Sequence, residues 1–353
     1  MAADSEEFPH FINANGQKIF CKYWEPSETD IRALAFIIHG FGEHVQRYDK
    51  VAHVLTDLGM KVCGHDHIGH GKSDGERAVV EEIAFYVRDS FQHIDLMKKK
   101  HPDLPLYVVS HSMGGLINIL MANERPKEFI NVLISPLVML NPKQATPLAV
   151  WGAKLASFCL PNKQLSKVDS KRLTRDPVQA KDYDDDPLNY HGGIRIGMVL
   201  KLYNATQEVQ RSIPSIEWPF LVLHGDDDEL CYFEGSKKLY KDAKSTIKTL
   251  KIYEGYYHEL DKEPEEYAKV VLDDMREWIS DRLDGKPLSP DEIETKIADG
   301  GMEKGVDEGE GKSEEAGSGE TEDKGKSKGK AEDEGKEDAA AAGDNKTEVA
   351  GGE

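Results

Sequence analysis

The segment Leu106–Gly115 limits what this chain can fold into more than any other. Four apolar residues, Leu106-Tyr107-Val108-Val109, run into Ser110-His111-Ser112-Met113-Gly114-Gly115, and a helical pattern over Leu116–Glu124 follows at once. A strand that turns into a helix through a small-x-Ser-x-small step leaves no room for large side chains two positions either side of the serine. Centred on Ser112, those positions are Ser110 and Gly114, both small. Centred on Ser110, one of them is Val108, which clashes. Ser112 is therefore the candidate nucleophile, with Ser110 standing where glycine is usual. The helix beginning beneath it aims amide donors at developing negative charge.

The rest of the chain supplies a sheet for that turn. Phe11–Asn13 and Lys18–Trp24 flank Asn15-Gly16, a strong hairpin signal. Six more apolar runs follow: Leu34–His39, Lys61–Asp66, Leu106–Ser110, Asn131–Ser135, Phe220–His224 and Thr249–Tyr253. Helical periods lie between them, such as Val51/Val54/Leu55/Leu58 and Ile83/Val87/Phe91/Ile94. The pattern predicts an α/β fold with an eight-stranded, mostly parallel sheet flanked by helices. Residues 141–213 break the alternation, contain no convincing strand, and read as an inserted, mostly helical cap.

A serine hydroxyl needs a histidine base oriented by a carboxylate. In a strand–helix alternation of this kind the acid and base follow the serine, on loops after late strands. Phe220–His224 leads into Gly225-Asp226-Asp227-Asp228, and Thr249–Tyr253 into Glu254-Gly255-Tyr256-Tyr257-His258. His258 is the histidine that follows the last strand. Among the consecutive aspartates, the spacing Gly-x-x-Asp selects Asp228, leaving Asp226 and Asp227 to the turn or to solvent. The run Leu34–Ile38 ends in His39-Gly40-Phe41-Gly42, where a glycine-rich turn can present the Phe41 amide beside that of Met113 as an oxyanion hole.

Charge narrows the function further. The 353 residues carry a net charge of −20, which disfavours a binder of nucleic-acid backbone. Much of the acidity lies in 285–353, with 21 acidic and 10 basic residues and no aromatic one. That segment reads as a disordered Gly/Glu/Lys tail, leaving 1–284 as the folded domain. Four scattered cysteines without a CxxC pair point to a reducing compartment. The N-terminal stretch lacks a signal-peptide layout, and no run of about 18 apolar residues exists. The expected location is cytoplasmic.

The stretches HGFGEH (39–44), DHIGHGKSDGER (66–77), SHSMGG (110–115), LISPLV (133–138), DPL (186–188), HGDDDELC (224–231) and TLKIYEGYYHEL (249–260) resemble the monoacylglycerol lipases of the α/β-hydrolase superfamily. The resemblance runs from about residue 10 to 283. It implies a serine hydrolase cleaving monoacylglycerols to fatty acid and glycerol, with no metal and no organic cofactor. It assigns Ser112, Asp228 and His258 to the triad and Phe41 and Met113 to the oxyanion hole. It also places Glu43, Arg47 and Tyr183 near the glycerol end. The chain departs from the family at Asp261, where a second histidine is common, and at Tyr190 and Gly197, cysteine positions in mammalian relatives.

Within the cap, Leu148, Trp151, Leu155 and Phe158 recur at helical spacing, and Val150, Ala153 and Cys159 make much of the remaining surface apolar. The expected arrangement has the Trp151/Leu155 stripe lining an acyl tunnel. The face carrying Val150 then docks peripherally on a membrane. Two other functions share much of this sequence logic: a lysophospholipase or broad carboxylesterase, and a non-catalytic lipid-binding protein on the same scaffold. A dehalogenase or epoxide hydrolase would need a carboxylate at position 112.

Overall fold

The apolar runs pair side by side. In the protein's computed structural model, which describes residues 9–27, 30–141, 146–286, 292–296 and 302–303, the strands are β1 (His10–Ile12), β2 (Lys18–Trp24), β3 (Ala33–Ile38), β4 (Met60–His65), β5 (Leu106–His111), β6 (Phe129–Ile134), β7 (Gln164–Lys167), β8 (Gly193–Arg195), β9 (Phe220–Gly225), β10 (Lys248–Tyr253), β11 (Glu292–Lys296) and β12 (Met302–Glu303). The main sheet runs β1-β2-β4-β3-β5-β6-β9-β10-β11-β12. Its first eight members match the eight runs read from the sequence, antiparallel through β1, β2 and β4 and parallel from β4 to β10.

Strands β3, β4, β5 and β9 are buried along their whole length, which demands cover on both faces. The helices are α1 (Asp49–Asp57), α2 (Ile83–Lys100), α3 (Met113–Glu124), α4 (Pro147–Cys159), α5 (Pro177–Asp185), α6 (Ile196–Ser212), α7 (Glu234–Asp242) and α8 (Glu265–Leu283). Alternate residues of each strand feed two cores. Leu34, Phe36 and Ile38 pack with Phe91 and Ile94 of α2, Leu116 of α3 and Leu202 of α6. Ala33, Ala35 and Ile37 pack with Val51 and Leu55 of α1 and Met275, Trp278 and Ile279 of α8. The sheet thus holds the C-terminal ends of β3, β5, β9 and β10 rigidly at one edge, where the turns singled out in the sequence emerge.

Two expectations change. The insertion between β6 and β9 holds α4, α5 and α6 and also the two-stranded antiparallel sheet β7–β8. All four residues of β7 are exposed, so no buried-face alternation marked it. The segment read as a disordered Gly/Glu/Lys tail from 285 onward contributes β11, parallel to β10, and β12, antiparallel to β11. Glu292–Lys296 supplies backbone hydrogen bonds to what would otherwise be an open sheet edge, and composition is blind to that. The compact unit accordingly runs to Val306. A second unit, Asp307–Glu353, lies outside the described residues.

Candidate active site

Ser112 is forced into place by the turn around it. Its φ of 56° and ψ of −119° put a non-glycine residue in strained backbone. That conformation is held on all sides: the Ser112 amide donates to Ile134 O at 3.1 Å, and its carbonyl accepts from Gly115 N at 2.9 Å and Leu137 N at 3.0 Å. Gly114 is required by contact, since a Cβ there would lie 2.2 Å from Ile38 O. Ser110 fits as serine because its Oγ is absorbed below the turn, donating to Val132 O at 3.2 Å and accepting from Asn118 at 3.0 Å.

The acid and base loops meet through another glycine. A Cβ on Gly225 would fall 2.2 Å from Tyr256 O, so the chain after β9 passes directly against the chain after β10. Asp226 fastens the two, its Oδ1 accepting from Gly255 N at 2.6 Å. Asp227 is exposed. Asp228 turns inward, with Oδ1 accepting from Leu230 N at 2.8 Å and Cys231 N at 2.9 Å. Its Oδ2 lies 2.7 Å from His258 Nδ1 and 3.1 Å from His224 Nε2. Burial alone would raise this carboxyl, and the two histidines outweigh it, holding Asp228 well below the ordinary carboxylate range. With Nδ1–H donated to Asp228, His258 Nε2 is left as the acceptor.

Ser112 and His258 line one cavity of about 170 Å³, together with Phe41, Met113, Glu43 and Tyr183. Ser112 Oγ meets Cys231 Sγ at 3.7 Å; among the described residues it makes no hydrogen bond to His258, a contact that commonly tightens only with substrate in place. The amides of Phe41 and Met113 have no hydrogen-bond partner among the described residues, the state in which an oxyanion can receive them. Beneath Phe41, His39 is fixed by donating from Nδ1 to Gly40 O at 2.8 Å and accepting from His67 N at Nε2, 2.9 Å. Burial pushes His39 and His67 well below the usual imidazole range, which keeps that neutral tautomer.

Glu43 and Tyr183 reach the cavity. Arg47 stands behind them, its guanidinium 4.8 Å over the Tyr183 ring and its Nη2 2.8 Å from Glu259 Oε2. Asp261 is buried and turned toward Lys262 at 2.8 Å. Trp151 and Leu155 are not where the stripe argument put them. They are 63% and 59% exposed and do not line the cavity. The half-buried face of α4 includes Val150, Ala153, Ala156 and Ser157 instead, and α4 packs on α6. Small residues permit that close helix contact, whereas periodicity alone does not say which face turns inward. The apolar wall of the cavity comes from Leu140, Val168, Ile194 and Leu202.

The donor atoms of Asp228, Cys231 and His258 lie within 4.8 Å of one another. Asp228 is already shared by two histidines, and burial followed by the Asp228 charge pushes the Cys231 thiol up, so it stays protonated. This set is built for hydrogen bonding rather than for an ion. A larger surface groove of about 690 Å³, between α2 and α3, is lined by Arg88, Phe91, Asp95 and Arg125 among others, with no serine, cysteine or histidine in its lining. Sequence reasoning missed His224, His111 and Cys231 as members of the site. Each stands inside a quoted motif, but only folding reveals its partner.

A strand–serine–helix elbow at the edge of a mostly parallel sheet, facing late acid and base loops, defines the class: an α/β-hydrolase of the serine type. The family profile described as Hydrolase_4, serine aminopeptidase S33, matches residues 29–265. Monoglyceride lipase of Mus musculus is 46% identical over 279 residues, covering 79% of this chain and 92% of that protein. The Homo sapiens monoglyceride lipase is 45% identical over 278 residues, covering 78% and 91%. The crystal structure of Paleococcus ferrophilus monoacylglycerol lipase superposes with a TM-score of 0.65 at 28% identity, covering 74% of this chain and 98% of that one. The chain belongs to the monoglyceride lipase family.

Proposed function

We propose that this protein hydrolyses monoacylglycerols to a free fatty acid and glycerol, with Ser112, Asp228 and His258 as the triad. His258 Nε2 takes the Ser112 proton as Oγ bonds to the ester carbonyl carbon. The carbonyl oxygen becomes an oxyanion held by the amides of Phe41 and Met113. As it collapses, the ester C–O bond breaks and glycerol leaves with the proton from His258. Water, giving its proton to the same nitrogen, then releases the acyl group and restores Ser112. The observation that carries this reading is the 2.7 Å Asp228–His258 contact on the cavity shared with Ser112; the glycerol ester comes from the similarity to monoglyceride lipases. Rates on monoacylglycerols, diacylglycerols, lysophospholipids and a simple soluble ester test it. Monoacylglycerols are expected to be turned over at least tenfold faster than lysophospholipids, and the reverse order would move the protein to lysophospholipase.

A cavity of about 170 Å³ is smaller than the roughly 300–1,000 Å³ of ordinary small-molecule sites. A long acyl chain therefore requires the insertion to part along its Ile194 and Leu202 wall. No helix among the described residues is long and apolar enough to cross a membrane. Leu148, Trp151, Leu155 and Phe158 on α4 stand exposed, Phe158 at 89%, with Lys154 the only charge on the helix. A contiguous apolar stripe of this kind is costly in water and suits reversible docking on a lipid surface. The expected consequence is that Trp151→Glu/Phe158→Glu sediments less with phosphatidylcholine vesicles, roughly tenfold for each apolar side chain withdrawn. Turnover of vesicle-held monoacylglycerol slows with it, and a water-soluble ester is unaffected. Unchanged sedimentation sinks the docking surface. Val150→Glu, on the packed face, should instead lower thermal stability.

A further inference from the structure

The chemistry above leaves one buried charged pair without a task. Glu43 lies in the turn after β3, and His111 ends β5 immediately before Ser112. Glu43 Oε1 accepts from Gly40 N at 2.6 Å, from the Tyr48 hydroxyl at 2.6 Å and from His111 Nδ1 at 3.2 Å. Its Oε2 is 3.6 Å from Arg47 Nε. On the other side of the imidazole, His111 Nε2 is 3.3 Å from His258 O, and the two rings lie 4.6 Å apart. There is no slack among these groups: a Cβ on Gly40 would lie 2.7 Å from Glu43 Oε1, 3.1 Å from Ser112 Cβ and 3.3 Å from His111 Nδ1.

Resting on the triad reading, we propose that Glu43 and His111 are positioning residues that clamp the oxyanion turn, the nucleophile and the base loop in register. Three chain segments far apart in sequence meet on two side chains. Oε1 already accepts three donors, so that oxygen has no capacity left for a substrate hydroxyl. His111 contacts an acceptor at each nitrogen, and an imidazole can donate from both only when protonated. Burial works against that charge. The Glu43 bond and the charges of Glu43, Glu259 and Asp261 overcome it and raise His111 to about 9. Glu43 is correspondingly held well below the carboxylate range, where burial alone would raise it. The other charges at hand are committed: Glu259 pairs with Arg47 and Asp261 with Lys262, while Tyr48 and His258 complete the surroundings.

The clamp is tested with Glu43→Gln and His111→Gln on two esters of the same fatty acid, a monoacylglycerol and a p-nitrophenyl ester without glycerol. Misplacing an oxyanion donor or the base by a fraction of an ångström lowers kcat, so both variants are expected to lose roughly 10- to 100-fold in kcat on both esters, with KM within about twofold. The alkaline fall of wild-type kcat near pH 9 is expected to vanish in His111→Gln, which has no imidazole to titrate there. If Glu43→Gln does not fold, Tyr48→Phe, which removes a neutral donor from the same oxygen, must show the same pattern at about two- to tenfold. A raised KM confined to the glycerol ester overturns the clamp and makes Glu43 a glycerol contact. Full kcat in the folded variants, or an alkaline limb kept in His111→Gln, also overturns it. Fluorophosphonate labelling of the wild type separates the two readings: loss of label at Ser112 sinks the triad itself, whereas labelling with unimpaired variants sinks only the clamp.

Discussion

Ser112→Ala is expected to abolish ester turnover, by on the order of 10⁴- to 10⁶-fold in kcat, while the protein stays folded. The substitution removes one oxygen and leaves the backbone bonds to Ile134, Gly115 and Leu137 in place. No neighbouring hydroxyl can substitute. Ser110 is fully buried and its Oγ is engaged by Val132 O and Asn118. Fluorophosphonate labelling should therefore disappear in Ser112→Ala and persist in Ser110→Gly. The latter keeps most activity and loses about 1 kcal/mol of stability with its hydrogen bonds. Label retained by Ser112→Ala and lost from Ser110→Ala would reassign the nucleophile.

Asp228→Asn should cost on the order of 10⁴-fold in kcat, far more than the same change at Asp226 or Asp227. The reason is directional. Every neutral-pH contact of the Asp228 carboxylate is a donor: the amides of Leu230 and Cys231 at Oδ1, and the ring N–H groups of His258 and His224 at Oδ2. An asparagine must turn its NH₂ toward one of these pairs. Facing His258, it favours the tautomer with hydrogen on Nε2, which cannot take a proton from serine. Facing the amides, it sets donor against donor and opens the loop. Asp226→Asn can still accept from Gly255 N, and Asp227 is exposed. Kinetics of the three variants with circular dichroism decide the matter, and equal small losses would place the orienting acid elsewhere. The lowered Asp228 carboxyl also has a consequence for pH. Its contribution to stability is present above the unfolded carboxylate value, near 3.9, and is lost only as pH falls through its lower folded value. It therefore stays ionised across the neutral range.

Much of the candidate site was legible because its constraints are local. A tight strand-to-helix turn rejects Val108 as a flank and accepts Ser110 and Gly114, an argument that needs no tertiary contact. Gly225 three residues before Asp228 singled out the candidate acid, though the need for glycine comes from Tyr256 O pressing against it. Glu43 was placed near the substrate by resemblance, and its commitment to Gly40, Tyr48 and His111 emerged only from the packed structure. His224 was invisible as a second partner of Asp228, since nothing in the spacing says that both rings point at one oxygen.

The sequence by itself determined the alternation of strands and helices, the tight turn that carries the candidate nucleophile and the two late loops, because steric limits and periodicity act over a few residues. Tertiary structure decided which face of α4 is covered, since a helical period defines faces but not their neighbours; small residues meet α6 and the large ones stay outside. It also decided that β7–β8 and β11 pair at all, because backbone hydrogen bonding to a waiting edge needs no apolar pattern. The link between Glu43 and His111, 68 residues apart in the chain, depends on β3 and β5 lying side by side. Only the assembled sheet creates that low-dielectric setting, in which each charge is tolerable because the other is there.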